Sequence, residues 1–181
     1  MTPRRTVTVV PYDDQWPVAY ADEEGRIRAA LGERMLALHH IGSTAIVGLH
    51  AKPVIDMLLV VRVIASLDGS DPRIAMSALG YQAMGEFGIP GRRYFRKDSP
   101  EGTRTHHLHA FQQGDPAIDR HLAFRDYMNA HPAEAGRYAD LKRRLAALHP
   151  GDIEAYVEGK AAFVQEHQAK AIEWRAARDH A

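Results

Sequence analysis

LALHHIGSTAIVGLHAKPVIDMLLVVR, residues 36–62, is the stretch that decides how this chain is read. Leu36 to Ile41 is short and mostly apolar, and Val54 to Val61 is apolar except for Asp56. Runs of that length, rich in Val, Ile and Leu, are the pattern of strands buried on both faces. Between them lie a tight Gly42-Ser43-Thr44 turn and a short polar crossing that ends at Pro53. Gly42 can take backbone angles that other residues resist, and Ser43 and Thr44 set hydroxyls beside turn N–H groups. A carboxylate inside a buried strand is costly unless a cation, a metal or a set of donors meets it. A phosphate-sized anion at Ser43, with a metal between it and Asp56, uses all of these features. The same residues also read as an ordinary polar turn and an Asp that caps a loop or pairs with Arg.

Working outward, Thr6 to Val10 alternates polar and apolar residues, as an edge strand or an extended lead-in does, until Pro11-Tyr12-Asp13-Asp14 breaks it. Pro17 suits the first turn of a helix to about Leu31, with Tyr20, Ile27 and Leu31 on one face and Gly32 past its end. Downstream, Ser70-Asp71-Pro72 opens a helix that reaches Leu79 and stops at Gly80. Strands are expected over Tyr81–Phe87, Arg92–Lys97 and Thr105–Gln112, with turns at 88–91 and 98–102. From Asp115-Pro116 the chain reads as three helices, about 116–131, 132–148 and 152 to beyond 170. The second carries Tyr138, Leu141, Leu145 and Leu148 on one stripe, and the third Ile153, Val157, Ala161 and Val164. Strands first and helices after give an α+β fold, a mixed β-sheet flanked by helices with a C-terminal helical segment. One domain is expected over 1–181, its core about 6–113 and its C-terminal helices about 115–175.

With 181 residues, 45% hydrophobic and 25% charged, the chain can bury a sizeable core. Lys plus Arg and Asp plus Glu are 23 each, so the overall field draws in neither nucleic acid nor an anionic membrane. There is no cysteine, which removes disulfides and thiol catalysis and leaves metal ligation to His and oxygen donors. The N-terminus lacks the apolar run of a signal peptide and no stretch approaches a membrane span, so a cytoplasmic location is expected. The eleven histidines cluster at His39-His40 and at His106-His107-His109.

Several short motifs recur in order. They begin with Val10-Pro11-Tyr12-Asp13, Trp16-Pro17, His40-Ile41-Gly42-Ser43-Thr44, Gly48-Leu49 and Ala51-Lys52-Pro53 with Ile55-Asp56. Gly80-Tyr81, the run Arg92 to Lys97 and the run Arg104 to His109 follow. Phe124-Arg125-Asp126-Tyr127, Tyr138 with Lys142, and Tyr156 with Lys160 complete the set. Together, over roughly residues 8–168, they resemble the GrpB family, whose fold resembles the DNA polymerase β-type nucleotidyltransferases. The polymerase β-type pattern implies a Gly-Ser turn for the phosphates and, about a dozen residues on, two carboxylates one residue apart on one strand face. A third carboxylate comes from a neighbouring strand. Gly42-Ser43 and Asp56 match that pattern, whereas Leu58 stands where the second carboxylate belongs.

Histidine is one replacement for the missing charge. On the 105–112 strand, His107 and His109 face one way and His106 the other. With Asp56 they can hold a transition metal such as Zn²⁺ or Mn²⁺, or they can meet phosphate oxygens directly. The plainer reading is a hydrogen-bonded core histidine and a solvent-facing one. In the basic run, Arg92, Tyr94 and Arg96 share one side and Arg93, Phe95 and Lys97 the other. Arg92, Arg96 and Arg104 are candidate phosphate clamps, against a charged edge strand that discourages aggregation. Lys142 and Lys160 each follow a Tyr by four residues and can aim at one anion from two helices, or simply snorkel. Lys52 lies between the turn and Asp56.

The expected function is metal-dependent transfer of a nucleotidyl group from a nucleoside triphosphate to a small acceptor. Asp56, His107 and His109 would be the catalytic and metal-binding set, with Mg²⁺ or Mn²⁺, or Zn²⁺, as the divalent metal. Gly42, Ser43, Thr44, Lys52, Arg92, Arg96, Arg104, Lys142 and Lys160 would hold the nucleotide or another phosphorylated small molecule. One alternative is a non-catalytic module for a nucleotide or coenzyme A precursor, since GrpB-like domains joined to dephospho-coenzyme A kinase are known in the family. A minor one, from His40-x-Gly-Ser-Thr and His107-x-His, is a histidine-dependent phosphoesterase. Leu58 separates the first two. Histidines or a carboxylate such as Glu86 reaching Asp56 favour chemistry, and an Asp56 closed off by Arg or backbone donors favours binding alone.

Overall fold

A computed structural model gives the fold, and the structure describes residues 7–179. Five strands, β1 (Met35–Ile41), β2 (Ile55–Val61), β3 (Tyr81–Ala83), β4 (Arg93–Asp98) and β5 (Arg104–Gln112), form one sheet in the order β1-β2-β5-β4-β3. The central β2–β5 pair is parallel and the other pairs are antiparallel. Helices α1 (Gln15–Leu31) and α2 (Ser70–Ala78) cover one face, and α3 (Pro116–Ala130), α4 (Pro132–Leu148) and α5 (Ile153–Asp179) belong to the other side. No described helix is long and apolar enough to cross a membrane.

Strand alternation sorts the side chains between the layers. Ile55, Met57, Leu59 and Val61 of β2, with Leu108, Ala110 and Phe95, meet Trp16, Ile27 and Leu31 of α1 and Met76 of α2. On the reverse face Leu58, Val60 and Phe111 pack with Ile41 and with Leu122 of α3. That apolar layer stops short of Asp56 and His107, which lie nearer the amino-terminal ends of the two parallel strands. Ile46 and Leu49, in the crossing between β1 and β2, are buried against Met128, Ala135, Tyr138 and Ala139. The C-terminal helices therefore grip the crossing and carry their lysines over Asp56.

Two expectations are corrected and one open alternative is resolved. The strand from Tyr81 ends at Ala83 and does not reach Phe87, because Gly85, Phe87, Gly88 and Gly91 all have positive φ and turn the chain. Val7 to Val10 is an extended lead-in with one bridge, Val10 to Ala51, and Thr6 lies outside the described residues. On the last two helices Leu148 and Val157 face solvent, while Leu145 and Tyr156 are buried together with Val7. The large Tyr156 ring, not Val157, fills the interface and sets the rotation of α5.

Candidate functional site

The parallel register sets Asp56 opposite His107 and Leu58 opposite His109. Nδ1 of His107 is 2.9 Å from Asp56 Oδ1, and Nε2 of His109 is 4.0 Å from the same oxygen. One ligand atom from each of the three residues lies within 4.8 Å of the others. Asp56 keeps 28% of its side chain exposed, so the group is open to solvent on one side. Gly42 comes so close that a Cβ there would stand 2.7 Å from Asp56 Oδ2. Its backbone, at φ 71° and ψ −168°, lies in a region essentially restricted to glycine. Burial pushes the Asp56 carboxyl upward, but the hydrogen bonds from His107 and then His109 outweigh it and hold the group below the usual carboxylate range.

Two arginines back the histidines. Arg92 Nη1 is 3.3 Å from His109 Nδ1, and Arg104 Nη1 is 3.5 Å from His107 Nε2. A guanidinium only donates, so the ring nitrogens facing the arginines are bare. The opposite nitrogens then carry the protons that point towards Asp56. Arg92 is buried and also donates to the carbonyls of Glu86 and Phe87. Arg104 pairs with Asp98, yet its Nη2 is buried without a hydrogen-bond partner. Arg96 lies opposite His107 in the β4–β5 register and donates to Gln82 at 2.8 Å. The other side of β4 is engaged elsewhere, Arg93 with Asp68 and Lys97 with Glu23.

Lysines from the C-terminal helices approach from above. Lys142 is 1% exposed, donates to the His50 carbonyl and sits 4.6 Å over the Tyr138 ring. Burial, and then the charge of Lys160, lower its pKa to about 7 although Asp56 pulls the other way. Lys160 lies 4.8 Å over Tyr156. Burial lowers its pKa too, with Asp56 opposing and Lys52 contributing. Charge is thus concentrated: a chain with no net charge gathers Lys142, Lys160, Arg92 and Arg104 around one carboxylate and its two histidines, with Lys52 acting on Lys160. Ser43 lies beside the Tyr138 hydroxyl, whose pKa burial raises. The Thr44 hydroxyl turns inward, 2.8 Å from His40 Nε2 and 3.5 Å from the Val54 carbonyl, leaving its backbone at the turn. His40 is stacked on Tyr20 at 4.9 Å, and burial lowers its pKa to about 4.

The histidines reach Asp56 and Glu86 does not, since Glu86 accepts from the Gly91 N–H at 2.8 Å in the turn before β4. Two neighbours escape a purely sequential reading. Tyr94 stacks on His109 with ring centres 5.3 Å apart, and His121 of α3 lies 6.1 Å beyond His109. Alternation along β4 puts Tyr94 on that side, but the placement of His121 depends on how α3 packs.

A mixed sheet with a Gly-Ser turn and a strand carboxylate under helices defines a nucleotidyltransferase-like fold. The structure of Cid1 in complex with its short product ApU superposes with a TM-score of 0.52 at 12% identity, covering 83% of this chain and 48% of that one. At that identity the likeness is one of fold. The chain belongs to the GrpB family: the model of the family described as GrpB protein matches residues 6–170. The crystal structure of the conserved protein GrpB from Enterococcus faecalis has a TM-score of 0.87 and 39% identity, covering 93% of this chain and 99% of that one. UPF0157 protein YqkA of Bacillus subtilis is 44% identical over 179 residues, 99% of this chain and 51% of its own length. The chain therefore spans about half of that relative.

Proposed function

We propose that the cleft at Asp56 binds the phosphates of a nucleoside triphosphate and that the protein transfers the nucleotidyl group to a small acceptor. The observation that carries this is the gathering of Lys142, Lys160 and Arg104 about one carboxylate beside the Gly42-Ser43 turn. In the transfer, an acceptor oxygen bonds to the α-phosphorus while the bond to the β-phosphate bridging oxygen breaks. Pyrophosphate leaves with that electron pair and the acceptor's proton passes to water. The lysines and Arg104 hold the triphosphate and offset the charge that grows on the leaving group.

Two nitrogens and one oxygen within 4.8 Å fit one cation of the Zn²⁺ or Mn²⁺ kind better than Mg²⁺, which prefers an oxygen octahedron. Asp56, His107 and His109 would hold that ion, which when bound supplies Lewis-acid polarisation of a phosphate oxygen. Loading it requires each imidazole to shift the proton directed at Asp56 to its other ring nitrogen, with Nη1 of Arg92 and of Arg104 giving up its contact there.

A second reading, a non-catalytic module for a nucleotide or coenzyme A precursor, is favoured by Leu58. It is fully buried among Ile41, Val60, Phe111 and Leu122, in place of a second carboxylate. Thermal melts with nucleoside triphosphates and coenzyme A precursors, with and without Zn²⁺, Mn²⁺ or Mg²⁺, are paired with a pyrophosphate-release assay on wild type and Asp56→Asn. A ligand at a hundred times its Kd adds about 2.7 kcal/mol. Stabilisation that needs nucleotide and metal together, with pyrophosphate released and both lost in Asp56→Asn, is the expected result. Stabilisation by nucleotide alone without pyrophosphate selects the second reading. No shift from any of these ligands refutes both.

A further inference from the structure

The turn between β3 and β4 contains a conformation that nothing in the chain path explains. Among the described residues, Phe87 is the one residue other than glycine with positive φ, at 47°. A bulky aromatic in that region is a genuine outlier, and such outliers persist where the surroundings impose them. Arg92 imposes this one: Nε and Nη2 donate to the Glu86 carbonyl, both at 3.2 Å, and Nη2 to the Phe87 carbonyl at 2.9 Å. Below the turn, Met84 and Tyr94 tie the strand ends, with the Met84 N–H donating to the Tyr94 carbonyl and the Tyr94 N–H to that of Gly85.

The result is an aromatic ring held out to solvent rather than buried. Phe87 is 58% exposed, and its ring centre is 5.3 Å from that of Tyr94. Tyr94 in turn is 5.3 Å from His109, with the rings at 27° to one another. The guanidinium of Arg92 lies 5.0 Å over the Tyr94 ring and reaches His109 with its other nitrogen. One buried cation thereby fixes the exposed ring, the ring beneath it and a histidine of the cleft floor in a single arrangement. The row Phe87, Tyr94, His109 runs from solvent to the phosphate-binding floor, a span on the scale of a nucleoside.

We infer that Phe87, held at the lip of the Asp56 cleft and backed by Tyr94, is the surface on which the planar heterocycle of the bound nucleotide stacks. This rests on the reading that the cleft takes a nucleotide's phosphates. Phe87 offers a ring face and no hydrogen-bond donor, so the contact is tolerant of which base is bound.

The test compares ligands with and without a base. Wild type, Phe87→Tyr and Phe87→Gly, the last able to keep the backbone conformation, are titrated calorimetrically with ATP, UTP and inorganic tripolyphosphate, each with and without Mn²⁺, after a melt shows that each is folded. The expected result is a roughly tenfold loss of ATP and UTP affinity in Phe87→Gly, from the usual range for base–aromatic stacking. Tripolyphosphate should bind unchanged and Phe87→Tyr should bind like wild type. Equal binding of nucleotides and tripolyphosphate by wild type, or a Phe87→Gly loss that is the same for both, overturns the stacking role and leaves the phosphate reading standing. Failure of wild type to bind either ligand overturns the phosphate reading and the stacking role with it.

Discussion

Replacing Lys142 by methionine removes a charge from a place where a charge is expensive. Its amine has a pKa of about 7 against an ordinary 10.5, with burial as the main cause and Lys160 second. At ~1.4 kcal/mol per tenfold change, keeping that proton costs the folded protein roughly 4 kcal/mol at pH 7. Lys142→Met recovers this but leaves the His50 carbonyl without its donor, a loss of about 1–3 kcal/mol, and forfeits the cation–π contact with Tyr138, worth up to about 2 kcal/mol. The net at pH 7 is therefore small, and the pH profile is the sharper measure. Between the folded value near 7 and the unfolded value near 10.5, the unfolded chain binds more protons than the folded one. Wild-type stability consequently rises with pH through that window and gains nothing from this group below it. Urea melts of both proteins at pH 7, 8.5 and 10 should show wild type gaining roughly 3 kcal/mol on the variant, with the variant's loss of phosphate affinity greatest at pH 7 and fading as the wild-type amine deprotonates. Parallel stability profiles would refute the burial argument, and unchanged affinity would remove Lys142 from the site.

The remaining predictions are briefer. Gly42→Ala should cost about 1–3 kcal/mol in urea melts and abolish ligand binding, because its Cβ meets Asp56. Gly48→Ala, also at positive φ but with open space around it, should lose stability and keep binding. Lys97→Ala leaves Glu23, 3% exposed, without its 2.7 Å partner and should cost about 3–5 kcal/mol, most of it restored by adding Glu23→Gln. Zn²⁺ titrations at pH 8 in buffers of different ionisation enthalpy should show wild type binding without net proton release, since each neutral imidazole only shifts its proton between ring nitrogens, and no binding by Asp56→Asn. Zn²⁺ uptake with net proton release would contradict the neutral histidine tautomers assigned from Arg92 and Arg104.

Local pattern is enough to locate the strands of the site, since an apolar run broken by one Asp and a His-x-His alternation both follow the two-residue period of a strand. It also separates the two sides of the Arg92–Lys97 run, because that period continues through β4. The pairing of Asp56 with His107 is not local, and only the sheet register brings them together. Leu58 reads in sequence as a missing ligand, whereas in space it is a core residue against α3. Tyr81 to Phe87 has strand-like composition, but the glycines around Phe87, with Arg92 drawing in the carbonyls, bend it into a turn. The hydroxyl of Thr44 faces His40 because the short helical turn at Ser43–Ala45 rotates it inward, which the letters Gly-Ser-Thr do not specify.

The parallel pairing of β2 with β5 has a consequence for how the site comes into being. Asp56 and His107 are 51 positions apart and belong to strands that no tight turn can join. The β4–β5 hairpin closes over a few residues and can assemble early, so both histidines can be in place while the carboxylate is still remote. Asp56 arrives only when β2 docks, after the larger loop-closure entropy has been overcome. Ligand affinity should therefore appear abruptly with the final collapse of the sheet rather than grow with secondary structure. Recovery of binding during refolding would then be a clock for that last step.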